Sequence, residues 1–187
     1  ITNYPQFVDF AANDFRLQQT SPCIDMGIYL PGMTNDLGGV PRPLDGNNDS
    51  IALPDIGAYE FVHPTADTDS DGLADTSELQ AYRTSPVDPD TDQDGMPDGW
   101  EAAYSLNPLS DDAGFDIDSD RFLNREEYRA GTDPTNGTSY LGITSISNSP
   151  THVVVTWNSV TQRFYTVMTV TNLGEAWTNV PDSSYTN

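Results

Sequence analysis

Asp67-Thr-Asp69-Ser-Asp71-Gly72-Leu73-Ala-Asp75-Thr-Ser-Glu78 recurs twice further along the chain. The second copy is Asp90-Thr-Asp92-Gln-Asp94-Gly95-Met96-Pro-Asp98-Gly-Trp-Glu101, and the third is Asp116-Ile-Asp118-Ser-Asp120-Arg121-Phe122-Leu-Asn124-Arg-Glu-Glu127. Their first residues are 23 and 26 positions apart (90 − 67 and 116 − 90). Each copy sets an oxygen-bearing side chain at positions 1, 3, 5, 9 and 12 of a twelve-residue stretch. Each then runs into a short helix-compatible segment and meets a proline (Pro86, Pro108, Pro134), which stops the helix and restarts extended chain.

That spacing is what a hard divalent cation demands. Calcium takes six to eight oxygens at about 2.3–2.6 Å, and a loop wrapped around one ion turns alternate residues inward. Asp67, Asp69 and Asp71, Asp90, Asp92 and Asp94, and Asp116, Asp118 and Asp120 would supply carboxylates from positions 1, 3 and 5. Position 7 would offer a backbone carbonyl, so its side chain is free to vary: Leu73, Met96, Phe122. Asp75, Asp98 and Asn124 at position 9 would act through a water, and Glu78, Glu101 and Glu127 at position 12 would close each shell. About three calcium ions follow. Asp88, Asp111, Asp112 and Asp133, which lie between loops, are candidates for shared ligands.

The bend at position 6 calls for positive φ, which Gly72 and Gly95 adopt freely. The third loop has Arg121 there. A non-glycine residue in that region costs roughly 1 kcal/mol, and the guanidinium adds positive charge beside the ion, so this site should be the weakest. Pro97 at position 8 removes an amide that paired EF-hands use to bridge neighbouring loops, which argues against such pairing.

The charge distribution agrees. The 187 residues carry a net charge of −22, from 29 acids and 7 bases, and every base is Arg. Residues 67–133 hold 19 acids and 4 Arg, a net −15, so most of the imbalance sits in about a third of the chain. Such a chain repels nucleic-acid phosphate and anionic lipid and attracts cations. Cys23 is the only cysteine, which rules out an intrachain disulfide and a thiolate metal cluster. No run approaches the roughly 18 apolar residues of a membrane span. No signal peptide is evident, and the first residue is Ile1 rather than Met, which reads as a processed or truncated portion of a longer protein.

Two families share this loop. Dockerins, which bind cohesins, usually close with Asp at position 12 and have longer apolar helices. All three copies here close with Glu and have helices of about two turns. Residues 67–136, with the ending Asn124-Arg-Glu-Glu-Tyr-Arg-Ala-Gly-Thr-Asp-Pro134, more closely resemble bacterial thrombospondin type 3 repeats. That resemblance implies a calcium-rigidified spacer between folded modules at a cell surface. Extracellular modules bind calcium with Kd around 10⁻⁴–10⁻³ M, so at millimolar calcium each site adds about 0.4–1.4 kcal/mol.

The flanks read as two further modules, giving 1–63, 64–136 and 137–187, a mainly β, multi-module chain. Residues 7–61 resemble the C-terminal end of a right-handed parallel β-helix of bacterial surface proteins. The stretches that carry this are Asp14-Phe-Arg-Leu17, Ser21-Pro-Cys-Ile-Asp-Met-Gly27, Gly39-Val-Pro-Arg-Pro43 and Asp55-Ile-Gly-Ala-Tyr-Glu60. Beyond residue 137, alternating stretches (Val153, Val155 and Trp157; Tyr165, Val167 and Thr169) predict strands, and the pattern resembles the start of a β-sandwich. About 50 residues are too few for a free-standing sandwich of seven strands. Two unfinished ends suggest either a fragment of a long surface protein or subunits joining head to tail by strand addition into a filament.

Catalysis finds little footing. Asp25, Asp36, Asp55 and Glu60 could be imagined as a carboxylate pair for glycoside hydrolysis, but they occupy turn-like contexts. His63 lies in a Pro-bounded linker and His152 on a predicted strand, with no zincin, nucleophile-elbow or phosphate-loop motif nearby. Cys23 reads as a small buried residue. Asn48-Asp-Ser50 and Asn136-Gly-Thr138 match the N-glycosylation pattern, one that is frequent by chance. The sequence therefore predicts a non-catalytic extracellular structural protein. Its partners would be calcium and either identical subunits or cell-surface polymers, with no nucleic acid and no membrane span. The rival reading is an ancillary C-terminal region of a secreted carbohydrate-active enzyme.

Overall fold

The computed structural model describes residues 4–148, 153–158, 160, 168–169 and 178–179. The chain forms two compact units, Ile1–Gly114 and Phe115–Asn187.

The first unit opens with a hairpin of β1 (Phe7–Asp9) and β2 (Asp14–Leu17), antiparallel with Phe7 opposite Leu17 and Asp9 opposite Asp14. The connecting turn is set locally. Asp9 Oδ1 accepts the Ala12 amide at 3.0 Å, and Asn13 takes φ 60°, a conformation asparagine tolerates. Behind the hairpin a small apolar core gathers Leu17, Cys23 and Ile24, with Phe7 and Phe61 against it.

From there to Phe61 the chain is mostly turns, and carboxylates organise them. Asp36 Oδ1 accepts the amides of Gly38 and Val40, while its Oδ2 accepts that of Glu60. Asp25 accepts from Gly46 and Asn47, and Asp55 from Asp25 and Phe61. Glu60 accepts from Asp55 and Leu44 and pairs with Arg42 at 2.5 Å, with both of these side chains buried. A segment with little apolar material thus satisfies its backbone through side chains.

All strand pairs among the described residues are antiparallel, and no β-helix is shown. The stretch Asp14–Leu17 folds back on Phe7–Asp9 because the turn at 10–13 brings that neighbour into hydrogen-bonding reach.

Three short helical segments follow the acidic loops. α1 (Asp75–Ser77) passes directly into a π-helical turn, Glu78–Tyr82; α2 spans Asp98–Tyr104; and in the second unit α3 spans Asn124–Ala130. Each ends at a left-handed residue: Arg83 (φ 68°), Ser105 (φ 62°) and Gly131 (φ 75°). The stop is therefore this cap, three residues ahead of the proline expected to provide it. Pro86, Pro108 and Pro134 are buried and serve as packing.

In the second unit the rings of Phe122 and Tyr140 stack 5.9 Å apart. β3 (Ile143–Asn148) pairs with β4 (Val153–Trp157), placing Ile146 opposite Val155, and β5 (Met168–Thr169) pairs with β6 (Thr178–Asn179). These are two-stranded sheets, so strand content is present but a sandwich is not shown. His152, Tyr165, Val167 and Trp177 lie outside the described residues.

Candidate metal centres

The three acidic loops share one internal geometry. The position-1 carboxylate accepts the amides of positions 5 and 6: Asp67 from Asp71 and Gly72, Asp90 from Asp94 and Gly95, Asp116 from Asp120 and Arg121, all at 2.9–3.2 Å. The position-5 carboxylate accepts the amide of position 7: Asp71 from Leu73, Asp94 from Met96, Asp120 from Phe122. Each loop then closes as the position-9 amide donates to the carbonyl before position 1, in the pairs Asp75–Ala66, Asp98–Pro89 and Asn124–Phe115.

Two left-handed residues shape every loop. Position 6 takes φ 103° at Gly72, 96° at Gly95 and 85° at Arg121, so the arginine adopts the bend that glycine adopts without strain. Position 4 is also left-handed at Ser70, Gln93 and Ser119, with φ 63–66°, a requirement the spacing alone does not reveal.

These bends converge the side chains. Ligand-capable oxygens lie within 4.8 Å of one another in Asp67–Asp69–Asp71, in Asp90–Asp92–Asp94 and in Asp116–Asp118–Asp120. Two more groups form across the repeat: Asp71 with Glu78 and Asp98, and Asp94 with Glu101 and Asp112. Of the four inter-loop acids, Asp112 joins such a group; Asp88, Asp111 and Asp133 join none among the described residues. Asp133 instead accepts from the amide and hydroxyl of Thr135.

Position 9 has a structural task that position counting missed. Asp75 accepts the amide and hydroxyl of Thr68, and Asp98 those of Thr91. The signal was legible as Thr at position 2 of both loops; the third has Ile117, which offers no hydroxyl. Position 7 is not indifferent either, since Met96 is fully buried.

The position-12 glutamates are buried as fully as Asp75 and Asp98. Glu78 and Glu101 are 0% exposed and Glu127 is 1% exposed. Thr84 donates to Glu78 Oε1 at 3.3 Å and Thr132 to Glu127 Oε1 at 3.2 Å. The π-helical turn absorbs the one extra residue separating Glu78 from its threonine. The matching place in the second repeat is Leu106, so Glu101 has no such donor.

Buried carboxylate oxygens without a hydrogen-bond partner remain on Asp69 and Glu101 (both oxygens), and on Glu78, Asp92, Asp118, Asp120 and Glu127. Native interiors leave few polar atoms unsatisfied, and removing an ionised carboxylate from water costs several kcal/mol. Burial, with repulsion from neighbouring aspartates second, raises the Glu78 carboxyl to about 8, Glu101 to about 9 and Glu127 to about 7. Asp69 is raised to about 7 for the same reasons. An all-oxygen, negatively charged donor set with orphaned acceptors fits a hard divalent cation.

Residues 90–105, the second loop and α2, match the family model of the bacterial TSP3 repeat. Repeats of this family bind calcium and are typical of extracellular proteins. No curated protein and no solved structure matches the chain. Among the described residues, no helix is long and apolar enough to cross a membrane.

The carboxylates weighed for hydrolysis in the first unit have other partners. Asp25, Asp36 and Asp55 each hold backbone amides on both oxygens, and Glu60 is bound to Arg42 and two amides. Cys23 is buried, and His63 Nδ1 accepts the amide of Thr65.

Proposed function

We propose that this chain is a non-catalytic structural segment of an extracellular bacterial surface protein, in which three calcium loops rigidify the stretch 64–136 between modules at 1–63 and 137–187. The observation that carries this reading is the set of orphaned, buried carboxylate oxygens repeated at equivalent positions of the three loops. Calcium would supply the charge neutralisation that these residues lack and would complete their coordination needs.

The proposed ligands are the side chains of Asp67, Asp69, Asp71 and Glu78, of Asp90, Asp92, Asp94 and Glu101, and of Asp116, Asp118, Asp120 and Glu127. The carbonyls of Leu73, Met96 and Phe122 belong to the same set. Asp75, Asp98 and Asn124 complete it at position 9, with the first two also bracing Thr68 and Thr91.

A β-helix ending for 7–61 and a sandwich for the last module are part of the same proposal. Support comes from exposed apolar surface at both ends: Tyr4, Val8, Phe10 and Phe15 around the first hairpin, Ile143, Ile146, Val154 and Val155 on the later one. Such faces suit burial against a preceding rung or added strands, including those of a second subunit.

Hydrogen exchange of the whole chain with calcium and with EDTA tests the reading. Chelation should abolish amide protection across 67–133 and leave protection in the Leu17–Phe61 network. Equal protection in both conditions would overturn it.

A further inference from the structure

We propose that Asn136–Gly137 is a self-modification site: the Gly137 amide attacks the Asn136 side chain, ammonia leaves, and water turns the resulting imide into aspartate or isoaspartate. The chain has five steps in which glycine follows Asp or Asn: Asp45–Gly46, Asp71–Gly72, Asp94–Gly95, Asp98–Gly99 and Asn136–Gly137. At each, the glycine nitrogen has no neighbouring side chain of its own to shield it from a carbonyl that would close a five-membered ring. The structure separates them.

The nucleophile is engaged in four of the five. The amides of Gly46, Gly72, Gly95 and Gly99 donate to Asp25, Asp67, Asp90 and Asp71 at 2.9–3.2 Å. No acceptor among the described residues takes the Gly137 amide. Residues 135–138 are exposed, so hydroxide can remove that proton directly. The four aspartates are also poorer electrophiles, since an ionised carboxylate resists a nucleophile that a neutral amide admits.

The electrophile is prepared at the same step. Thr138 donates to Asn136 Oδ1 from its amide at 3.2 Å and from its hydroxyl at 2.8 Å. Oδ1 is the atom that takes negative charge as nitrogen adds to Cγ, and donors already aimed at it lower that barrier, as in an oxyanion hole. The Gly137 nitrogen gives its proton to solvent and bonds to Cγ; the Cγ–Nδ2 bond then breaks and ammonia departs with a solvent proton. Water next adds to one imide carbonyl. Opening at Cγ leaves aspartate at position 136. Opening at the backbone carbonyl leaves isoaspartate, with the main chain running through Cβ and Cγ.

The consequence falls on the third loop, and this part alone rests on the calcium reading above. A Cβ on Gly137 would lie 3.5 Å from the Asp118 carbonyl oxygen and from Asp120 Cβ, so Gly137 packs against that loop. Isoaspartate lengthens the main chain by one atom at this contact and disturbs the seat of Asp118 and Asp120. The third loop should then bind calcium several-fold more weakly.

Incubation of the whole chain at neutral pH in calcium buffer, followed by peptide mapping with isoaspartate detection, tests the proposal. Product is expected at position 136, with an equal amount of ammonia, and none at the four Asp–Gly steps. The rate should rise with pH. It should fall several-fold in Thr138→Val, which lacks the hydroxyl donor, and further in Gly137→Ala, whose Cβ meets ordinary contacts of 3.5 Å or more. No product at position 136, or as much at the Asp–Gly steps, would overturn the site; an unchanged rate in Thr138→Val would overturn the prepared electrophile. In EDTA position 136 should still react, and the loop steps should begin to react as their amides come free. Reaction at 136 with no EDTA effect on the loop steps would keep the modification and count against the calcium reading.

Discussion

The amide of Gly99 donates to Asp71 Oδ2 at 2.9 Å, and a Cβ on Gly99 would overlap the carbonyl oxygen of Asp71. The start of α2 therefore rests directly on the first loop, and only a residue without a side chain allows it. Gly99→Ala sets two effects against each other. Alanine favours a helix over glycine by up to about 1 kcal/mol, while forcing a methyl into backbone costs about 1–3 kcal/mol. The overlap is with backbone rather than a flexible side chain, so the substitution should destabilise. A lower thermal midpoint in calcium buffer is expected; a higher one would show that the two repeats are not packed in this way.

Stability should depend on pH in opposite senses with and without calcium. In the metal-free protein Glu78, Glu101, Glu127 and Asp69 have carboxyl pKa values raised to about 7–9. The folded state then binds more protons than the unfolded one, so stability falls as pH rises from about 4 toward 9. With calcium, protons compete for the same oxygens and stability rises with pH. Melting curves at pH 5, 6.5 and 8 in EDTA and in calcium should give slopes of opposite sign. Parallel slopes would contradict the placement of the cations on these groups.

Arg121→Gly should strengthen the third loop. Arg121 holds φ 85°, a strain of about 1 kcal/mol, and its charge opposes a cation. Glycine's larger unfolded-state entropy offsets part of the gain. Calcium affinity of that loop should rise a few-fold, read by titration of the third-loop signals in NMR. Unchanged or weaker binding would mean that the side chain supports the loop instead.

Proteolysis offers a simple report. The chain has no Lys, and four of its seven Arg (Arg83, Arg121, Arg125, Arg129) lie in the repeats. Trypsin should cut rapidly at these positions in EDTA and slowly in millimolar calcium, because cleavage tracks the population of opened chain. Identical fragment patterns under both conditions would argue against calcium-dependent order.

Arg42→Met tests the first unit. The Arg42–Glu60 pair is buried, and Glu60 also receives the amides of Asp55 and Leu44. Removing one partner of a buried pair costs about 3–5 kcal/mol because the other charge is left uncompensated. Loss of amide protection around Leu17–Phe61 is expected. Calcium stoichiometry should be unchanged, since Arg42 contacts no residue of the five acid groups. Retained protection would show that the network is redundant.

The loops were legible in the sequence because their order is local. Asp67 bonds to the amides of Asp71 and Gly72, four and five residues on, and the same offsets recur from Asp90 and Asp116. The helix ends are less legible, because a left-handed cap at Arg83 or Ser105 leaves no fixed signature in side-chain chemistry. The solenoid-like stretches were harder still: Asp25, Asp36, Asp55 and Glu60 look like spare acids in a linear reading and become acceptors for distant amides in space.

By itself, then, the sequence determined the number of loops and their donor types, since each loop closes on itself within twelve residues. Only the tertiary structure decided which acids meet across the repeat. Asp71 reaches Asp98 over 27 residues and Asp94 reaches Asp112 over 18 (98 − 71 and 112 − 94). Those meetings depend on the direction in which each helix ends and on how closely one backbone lies against the next, and spacing along the chain encodes neither.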